Sequence, residues 1–217
     1  MLLSRPKRRK IKSVMSIDQG NLGKYRSSNP LQRFLIRHFL QKVRALFQCV
    51  PAGPLCEVGC GEGFVLKDFQ DHGLLKGVPT TGLDIRDESL RFGAKLVPEA
   101  NFKKASAYEL PLGDKACRCV MMLEVLEHLE DPARALREAA RAGEFLLISV
   151  PHEPWFMAAN FLRGKNWSRW GSDIEHIHFW GTRSFRKLLA PQGEILRLET
   201  PFPWMIALLK TVKAGNG

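Results

Sequence analysis

The chain has 217 residues, of which 45% are hydrophobic, which is enough for one well-buried domain but short for two. Its formal net charge of +11 lies entirely in residues 1–50, where twelve Lys and Arg residues accompany a single acid, Asp18. The remainder is neutral. This argues against a nucleic-acid binder with positive charge spread over its surface and favours an enzyme with a basic N-terminal segment.

The cysteines and the apolar runs indicate the compartment. Five cysteines form an odd set without a paired CxxC framework, so we expect reduced core residues in a reducing compartment. No apolar run reaches the roughly 18 residues of a membrane span, and the N-terminal sequence lacks the apolar centre of a secretory signal. These features predict a cytoplasmic protein.

Residues 1–28 lack periodicity and predict a flexible basic arm, followed by a single domain over residues 29–217. A helix is predicted to begin at the start of this domain, because Asn29 can cap it and Pro30 suits its first position. Apolar residues then recur at helical spacing, with basic residues between them. We interpret this as a helix packed on the domain with a solvated basic face. Alternatively, that basic face contacts an anionic membrane surface or RNA.

Strand-like and helix-like stretches then alternate, which predicts an α/β sandwich with a mainly parallel, seven-stranded sheet. The predicted strands are "GPLCEVG", "TTGLDI", "NFKKA", "ACRCVMML", "EFLLISV", "GEILRLETP" and "FPWMIALLK". Such sheets bind ligands beyond the carboxyl ends of their strands. Functional residues should therefore follow Val58, Asp84, Leu123 and Val150.

Residues 151–181 break the alternation with a long, irregular and aromatic stretch. Four of the five tryptophans lie in it: Trp155, Trp167, Trp170 and Trp180. An aromatic excursion at the carboxyl edge of a sheet is more typical of a lid or pocket wall than of a connector. We expect a helical and aromatic lid after the fifth strand.

The stretch "CEVGCGEGF", residues 56–64, places three glycines behind an acid, Glu57. A dinucleotide fingerprint needs its third glycine three residues after the second, and a P-loop ends in Gly-Lys-Ser/Thr; neither pattern is present. Glu57 would also repel a pyrophosphate and attract a cation. The pattern therefore predicts a positively charged ligand lying against bare backbone.

Asp84 follows at the end of the second strand, where an acid typically accepts both hydroxyls of a ribose. A nucleoside with a cationic tail and no phosphate is S-adenosylmethionine. The chain resembles the class I S-adenosylmethionine-dependent methyltransferases, in the broad type 11 group that includes the ubiquinone-biosynthesis methyltransferases. The stretches that carry this resemblance are "LCEVGCGEGF", "TGLDI", "ELPLGDKACRCVMMLEVLEHLEDP" and "LLISVP".

The resemblance implies roles for the residues around the glycines. Glu57 would order the loop and reach the methionine end of the cofactor. Leu123 and Glu124, after the fourth strand, would border the methionine portion. Four residues would pass close beneath the cofactor: Gly59, Cys60, Gly61 and Gly63.

The nucleoside end is implied in the same way. Asp84 would hold the ribose, and Ile85 would lie against the adenine. Where the family often has an acidic residue and alanine after the third strand, this chain has Ser106 and Ala107. The Ser106 hydroxyl can still accept a hydrogen bond from the adenine amino group, but without a charge, so the affinity should be lower.

Methyl transfer chiefly needs a positioned nucleophile and exclusion of water, with a base only where the acceptor must lose a proton. His128 and His152 are the candidate bases, because both follow strands at the carboxyl edge. Alternatively, the acids and histidines of this edge fix loops by hydrogen bonds. A third alternative is a divalent metal held by Glu124, Glu127, His128 and a lid histidine; we assign no metal ligands.

The lid aromatics predict a small apolar or aromatic acceptor, such as a quinol, phenol or lipid-like molecule, methylated on oxygen or carbon. The basic helix would then bring the enzyme to an anionic membrane surface. One alternative is an RNA methyltransferase that uses the basic N-terminal segment. Another is an S-adenosylmethionine-binding module without catalysis.

Overall fold

The computed structural model describes residues 29–152 and 178–212. Within these ranges the chain forms five α-helices and seven β-strands. The helices are α1 Pro30–Phe47, α2 Phe64–Asp71, α3 Asp87–Leu96, α4 Pro132–Ala142 and α5 Thr182–Leu189. The strands are β1 Leu55–Val58, β2 Thr80–Asp84, β3 Asn101–Lys104, β4 Cys117–Leu123, β5 Gly143–Pro151, β6 Gly193–Glu199 and β7 Trp204–Thr211.

The strands form one seven-stranded sheet in the order β3-β2-β1-β4-β5-β7-β6. The first five are parallel, and β7 is antiparallel to both β5 and β6, so the predicted mainly parallel sheet is confirmed. The chain runs outward from β1 to β3 and then returns to place β4 on the other side of β1. Ligands of such sheets bind where the strand order reverses, which here is the carboxyl end of β1 and β4.

Helices cover both faces of the sheet. Side chains of β4 alternate between the two apolar cores: Met122 packs with α4 and α5, whereas Met121 packs with α1 and α2. Burial on both faces explains why the central strands β4 and β5 read as continuous apolar runs. The sheet and the helix layers on its two faces thus form the α/β sandwich that the sequence predicts.

Helix α1 begins as predicted, because the Asn29 side chain accepts hydrogen bonds from the backbone N–H groups of Leu31 and Gln32. Its C-terminal half packs on the sheet through Phe39, Leu40, Val43 and Leu46. Its N-terminal half differs from a uniformly packed helix: the side chains of Leu31 and Phe34 are 57% and 63% exposed. The apolar stripe thus begins outside the core that buries its C-terminal part.

The basic face of α1 is partly neutralised. Lys42 Nζ lies 3.0 Å from Glu199 Oε2, and Arg44 Nη1 lies 2.7 Å from Asp68 Oδ1. Both pairs tie the helix to the rest of the domain. The basic residues of the exposed half, Arg33 and Arg37, point to solvent.

Four of the five cysteines are buried and free, as expected for reduced core residues, but the expectation is wrong for Cys49, which is exposed just after α1. No helix within residues 29–152 and 178–212 is long and apolar enough to cross a bilayer. The predicted arm and most of the predicted lid lie outside the described residues.

Candidate cofactor-binding site

Glu57 lies near the end of β1, with its side chain only 3% exposed. Its Oε2 atom has no hydrogen-bond partner among the residues that the structure describes. Burial, reinforced by the nearby charge of Asp84, raises the pKa of Glu57 to about 8. A buried acceptor of this kind is costly unless a donor completes it. The site is therefore suited to a ligand with a cationic or hydrogen-bond-donating group.

The loop after β1 depends on its glycines. Gly59, Gly61 and Gly63 have φ angles of 71°, 51° and 75°, in the left-handed region that glycine adopts without steric cost. A Cβ atom on Gly59 would also lie 2.5 Å from Cγ2 of Val125. The loop therefore presents bare backbone that side chains would disrupt.

Asp84 links the ends of β1 and β2. Its Oδ2 accepts a hydrogen bond of 2.8 Å from the Gly61 N–H, and its Oδ1 accepts one of 2.9 Å from the Arg86 N–H. The carboxylate is 7% exposed, whereas the adjacent Ile85 side chain is 65% exposed. Oδ1 also lies 3.4 Å from the Arg86 Nε, whereas Oδ2 has a second lone pair, so Asp84 can hold the loop and still accept a hydroxyl group. Ile85 offers an uncovered apolar surface beside it.

A cleft opens at the carboxyl ends of β1 and β4. Five of the predicted site residues line it: Glu57, Gly59, Cys60, Leu123 and Glu124. Three further residues that were not predicted also line it: Phe39, Phe64 and Val65. Phe64 and Val65 could have been inferred from their place at the start of α2. No local signal marks Phe39, because it reaches the cleft from α1.

Glu124 has an unusual backbone for a non-glycine residue, with φ of 57°. Ser149 Oγ donates to its Oε1 at 3.1 Å, and the Trp204 indole Nε1 donates to its Oε2 at 2.7 Å. The Glu124 backbone N–H donates in turn to Ser149 Oγ at 3.1 Å. A backbone conformation of this kind persists only where surrounding contacts hold it in place. For Glu124, residues of β5 and β7 provide those contacts.

The third strand leads to the predicted adenine contacts. Ser106 is exposed, and its hydroxyl oxygen accepts a hydrogen bond of 3.2 Å from the Tyr108 N–H. Ala107 is half-buried beside it. The Tyr108 bond fixes the Ser106 hydroxyl in a local turn and leaves one lone pair available.

The two predicted bases do not line the cleft. His128 is exposed at the end of a 3₁₀ turn, Leu126–His128. His152 is half-buried after β5, with its Nε2 3.5 Å from Thr182 Oγ1, and burial lowers its pKa below the usual value. Between residues 29 and 152 and between 178 and 212, no three His, Cys, Asp or Glu side chains form a group that could hold a metal ion.

Comparison with known proteins identifies the family to which the chain belongs. Residues 31–193 match the sequence profile of a methyltransferase domain. A probable S-adenosylmethionine-dependent methyltransferase of Mycobacterium tuberculosis is 29% identical over 123 residues, which cover 55% of this chain and 43% of the relative. The chain thus matches less than half of that relative's length.

Two solved structures share the fold. The magnesium protoporphyrin IX methyltransferase of Synechocystis, with bound SAH, superposes with a TM-score of 0.65 at 16% identity, over 86% of this chain and 89% of that one. The [4+2]-cyclase SpnF superposes with a TM-score of 0.60 at 14% identity, over 79% and 81%. The profile match spans most of the chain and includes the strand ends that build the cleft. The chain therefore belongs to the methyltransferase domain family, within the class I S-adenosylmethionine-dependent methyltransferases.

Proposed function

We propose that the chain transfers a methyl group from S-adenosylmethionine to a small apolar or aromatic acceptor. The observation that carries this proposal is the pair of buried carboxylates, Glu57 and Asp84, at the ends of two adjacent strands. They flank a loop whose backbone is left bare by three glycines. A cationic nucleoside without phosphate satisfies all three features.

The residues present fit that cofactor. The Glu57 carboxylate, with its unsatisfied buried oxygen, would take the donors of the methionine end. Asp84 would hold the ribose hydroxyls, and the exposed face of Ile85 would be covered by the adenine. Ser106 and Ala107 would meet the adenine edge, while Leu123 and Glu124 would border the methionine portion.

When bound, S-adenosylmethionine supplies an electrophilic methyl group on a sulfonium. The chain's own contribution is to orient the acceptor and to keep water out. The side chains of Phe39, Phe64 and Val65 give the cleft an apolar wall suited to that task. The predicted lid tryptophan Trp180 is instead buried in the core with α4 and α5, so it does not line the cleft. The apolar wall, together with Trp155, Trp167 and Trp170 of the predicted lid, supports an apolar or aromatic acceptor such as a quinol, phenol or lipid-like molecule.

A hydroxyl acceptor would also need a base. We propose His152 ahead of His128 for this role, because burial lowers the pKa of His152 and keeps its imidazole neutral at pH 7, which is the state that accepts a proton. For carbon methylation of an already activated acceptor, neither histidine would be needed.

We also propose that the exposed half of α1 touches an anionic membrane surface where an apolar acceptor resides. Leu31 and Phe34 offer apolar contacts there, and Arg33 and Arg37 offer positive charge. Sedimentation with phosphatidylserine vesicles tests this: the full chain should co-sediment, and the variant with Arg33→Glu and Arg37→Glu should not. Equal sedimentation of both proteins contradicts it.

The decisive experiment screens phenols, quinols, lipids and total RNA with S-adenosylmethionine labelled on its methyl group. Label transferred to a small apolar molecule supports the proposal. Label transferred to RNA, with binding that weakens steeply as salt rises, would instead favour the RNA methyltransferase. Cofactor binding without transfer to any acceptor would favour a non-catalytic module, and the fold of SpnF shows why the fold alone does not settle this.

A further inference from the structure

One residue outside the sequence motifs controls a side chain of the cleft. Trp204 opens β7, opposite Pro151 of β5, and its indole N–H donates 2.7 Å to Glu124 Oε2. Glu124 itself lines the cleft. The two residues are 80 positions apart, so the antiparallel pairing of β7 with β5 brings them together.

Each oxygen of the Glu124 carboxylate accepts a hydrogen bond from a different side chain. Ser149 Oγ donates to Oε1 while Trp204 donates to Oε2, so both oxygens of Glu124 have a fixed donor. Hydrogen bonds to a charged acceptor are about twice as strong as those between neutral groups. The Glu124 carboxylate is thus held in one orientation even though its backbone lies in the left-handed region.

The indole is itself held in place. The Phe39 ring packs against the Trp204 ring with centroids 4.9 Å apart and planes tilted by 46°. Phe39 is 5% exposed and lines the same cleft. Phe39 of the cleft wall therefore packs against the indole that donates to the Glu124 carboxylate.

We infer that Trp204 is a positioning residue that aims the Glu124 carboxylate at the methionine portion of the cofactor. The inference rests on the proposed function, because it assigns a target to Glu124. Trp204 acts through its N–H group, whereas a purely structural tryptophan would act through its ring alone. Removing the N–H while keeping an aromatic ring separates these two roles.

The test measures the dissociation constant of S-adenosylmethionine by calorimetry for four proteins: wild type, Trp204→Phe, Glu124→Ala and the double variant. Trp204→Phe should weaken binding about tenfold, as expected for losing one hydrogen bond to a charged group. In the Glu124→Ala background, which has no side-chain acceptor for the indole N–H, the same change should weaken binding less than twofold further. Such a non-additive cycle identifies action through Glu124.

Two results would overturn the inference: an unchanged dissociation constant for Trp204→Phe, or the full tenfold effect in the Glu124→Ala background. Thermal unfolding without ligand checks that each variant folds. If Trp204→Phe does not fold, the indole ¹H–¹⁵N resonance of Trp204 in the wild type replaces it. That resonance should shift on addition of S-adenosylmethionine, and a constant resonance contradicts the inference. A wild type that binds no S-adenosylmethionine overturns the proposed function, and this inference with it.

Discussion

The backbone N–H of Gly61 donates a 2.8 Å hydrogen bond to Oδ2 of Asp84, which ties the loop after β1 to the end of β2. Asp84 is thus part of the loop's own structure as well as a candidate ribose acceptor. A glycine loop is costly to order because glycine loses more conformational entropy than other residues on folding. A buried carboxylate that fixes it beforehand reduces what the ligand must order on binding.

Asp84→Ala removes this link and should lower the free energy of unfolding by about 1–3 kcal/mol, because it leaves the Gly61 and Arg86 N–H groups without their acceptor. It should also weaken S-adenosylmethionine binding by more than tenfold. Asp84→Asn keeps an acceptor oxygen, so its stability loss should be smaller while its binding loss persists. Urea unfolding and calorimetry measure the two effects.

Asp71→Asn is the matched control, because Asp71 is an exposed carboxylate paired with Lys67 on the surface of α2. It should change the free energy of unfolding by less than about 0.5 kcal/mol, and it should leave S-adenosylmethionine binding unchanged. Binding by Asp84→Ala that equals wild type would remove Asp84 from the site.

Gly59 and Gly77 form a natural pair for testing the glycine loop. Their φ angles are 71° and 72°, but a Cβ on Gly59 would lie 2.5 Å from Val125 Cγ2, whereas nothing lies within 4 Å of one on Gly77. Gly77→Ala should therefore cost only the strain of the left-handed backbone, about 1–2 kcal/mol. Gly59→Ala should cost about 1–3 kcal/mol more, because it also overpacks the loop.

Binding distinguishes the two glycine variants further. Gly59→Ala should weaken S-adenosylmethionine binding, since Val125 or the loop must move to admit the methyl group, while Gly77→Ala should leave it unchanged. Thermal unfolding and calorimetry on both variants check this. Equal losses of stability in the two variants would show that the Val125 contact does not constrain the loop.

Local patterns predicted the parts of the site that are local in the chain. The glycines follow β1 directly and Asp84 ends β2, so spacing and strand alternation placed both at one edge of the sheet. The capping residue Asn29 also behaves as predicted, because a helix cap depends on a few consecutive residues.

Contacts that depend on the fold as a whole could not be predicted in this way. Phe39 reaches the cleft because α1 packs against β7, and Trp204 reaches Glu124 because β7 inserts between β5 and β6. The helical spacing predicts that Phe39 packs on the domain, but no motif at either position marks it as part of the cleft. The roles of His128 and His152 stay predictions, as does the lid over residues 151–181.

Glu57 should make the stability of the protein depend on pH in an unusual direction. Its pKa rises from a usual value of 4.5 to about 8 in the folded state, first through burial and then through the charge of Asp84. Between these two values the folded protein keeps a proton that the unfolded chain has released. The free energy of unfolding should therefore fall as pH rises across this window, and the stabilisation should be complete below about pH 4.5.

Glu57→Gln cannot ionise and should lose this dependence. By pH 8 the variant should be more stable than the wild type by at least about 1 kcal/mol, and the difference should shrink toward pH 5. Urea unfolding at pH 5, 6, 7 and 8 measures it, with the exposed Glu130→Gln as a control that should follow the wild type. Parallel pH profiles for the wild type and Glu57→Gln would contradict a raised pKa. Above about pH 8, where Glu57 is ionised in the folded wild type, the same variant should also bind S-adenosylmethionine more weakly, because a neutral amide cannot balance the positive charge of the ligand. A substitution that raises stability and lowers affinity at that pH indicates a buried charge that serves binding rather than folding.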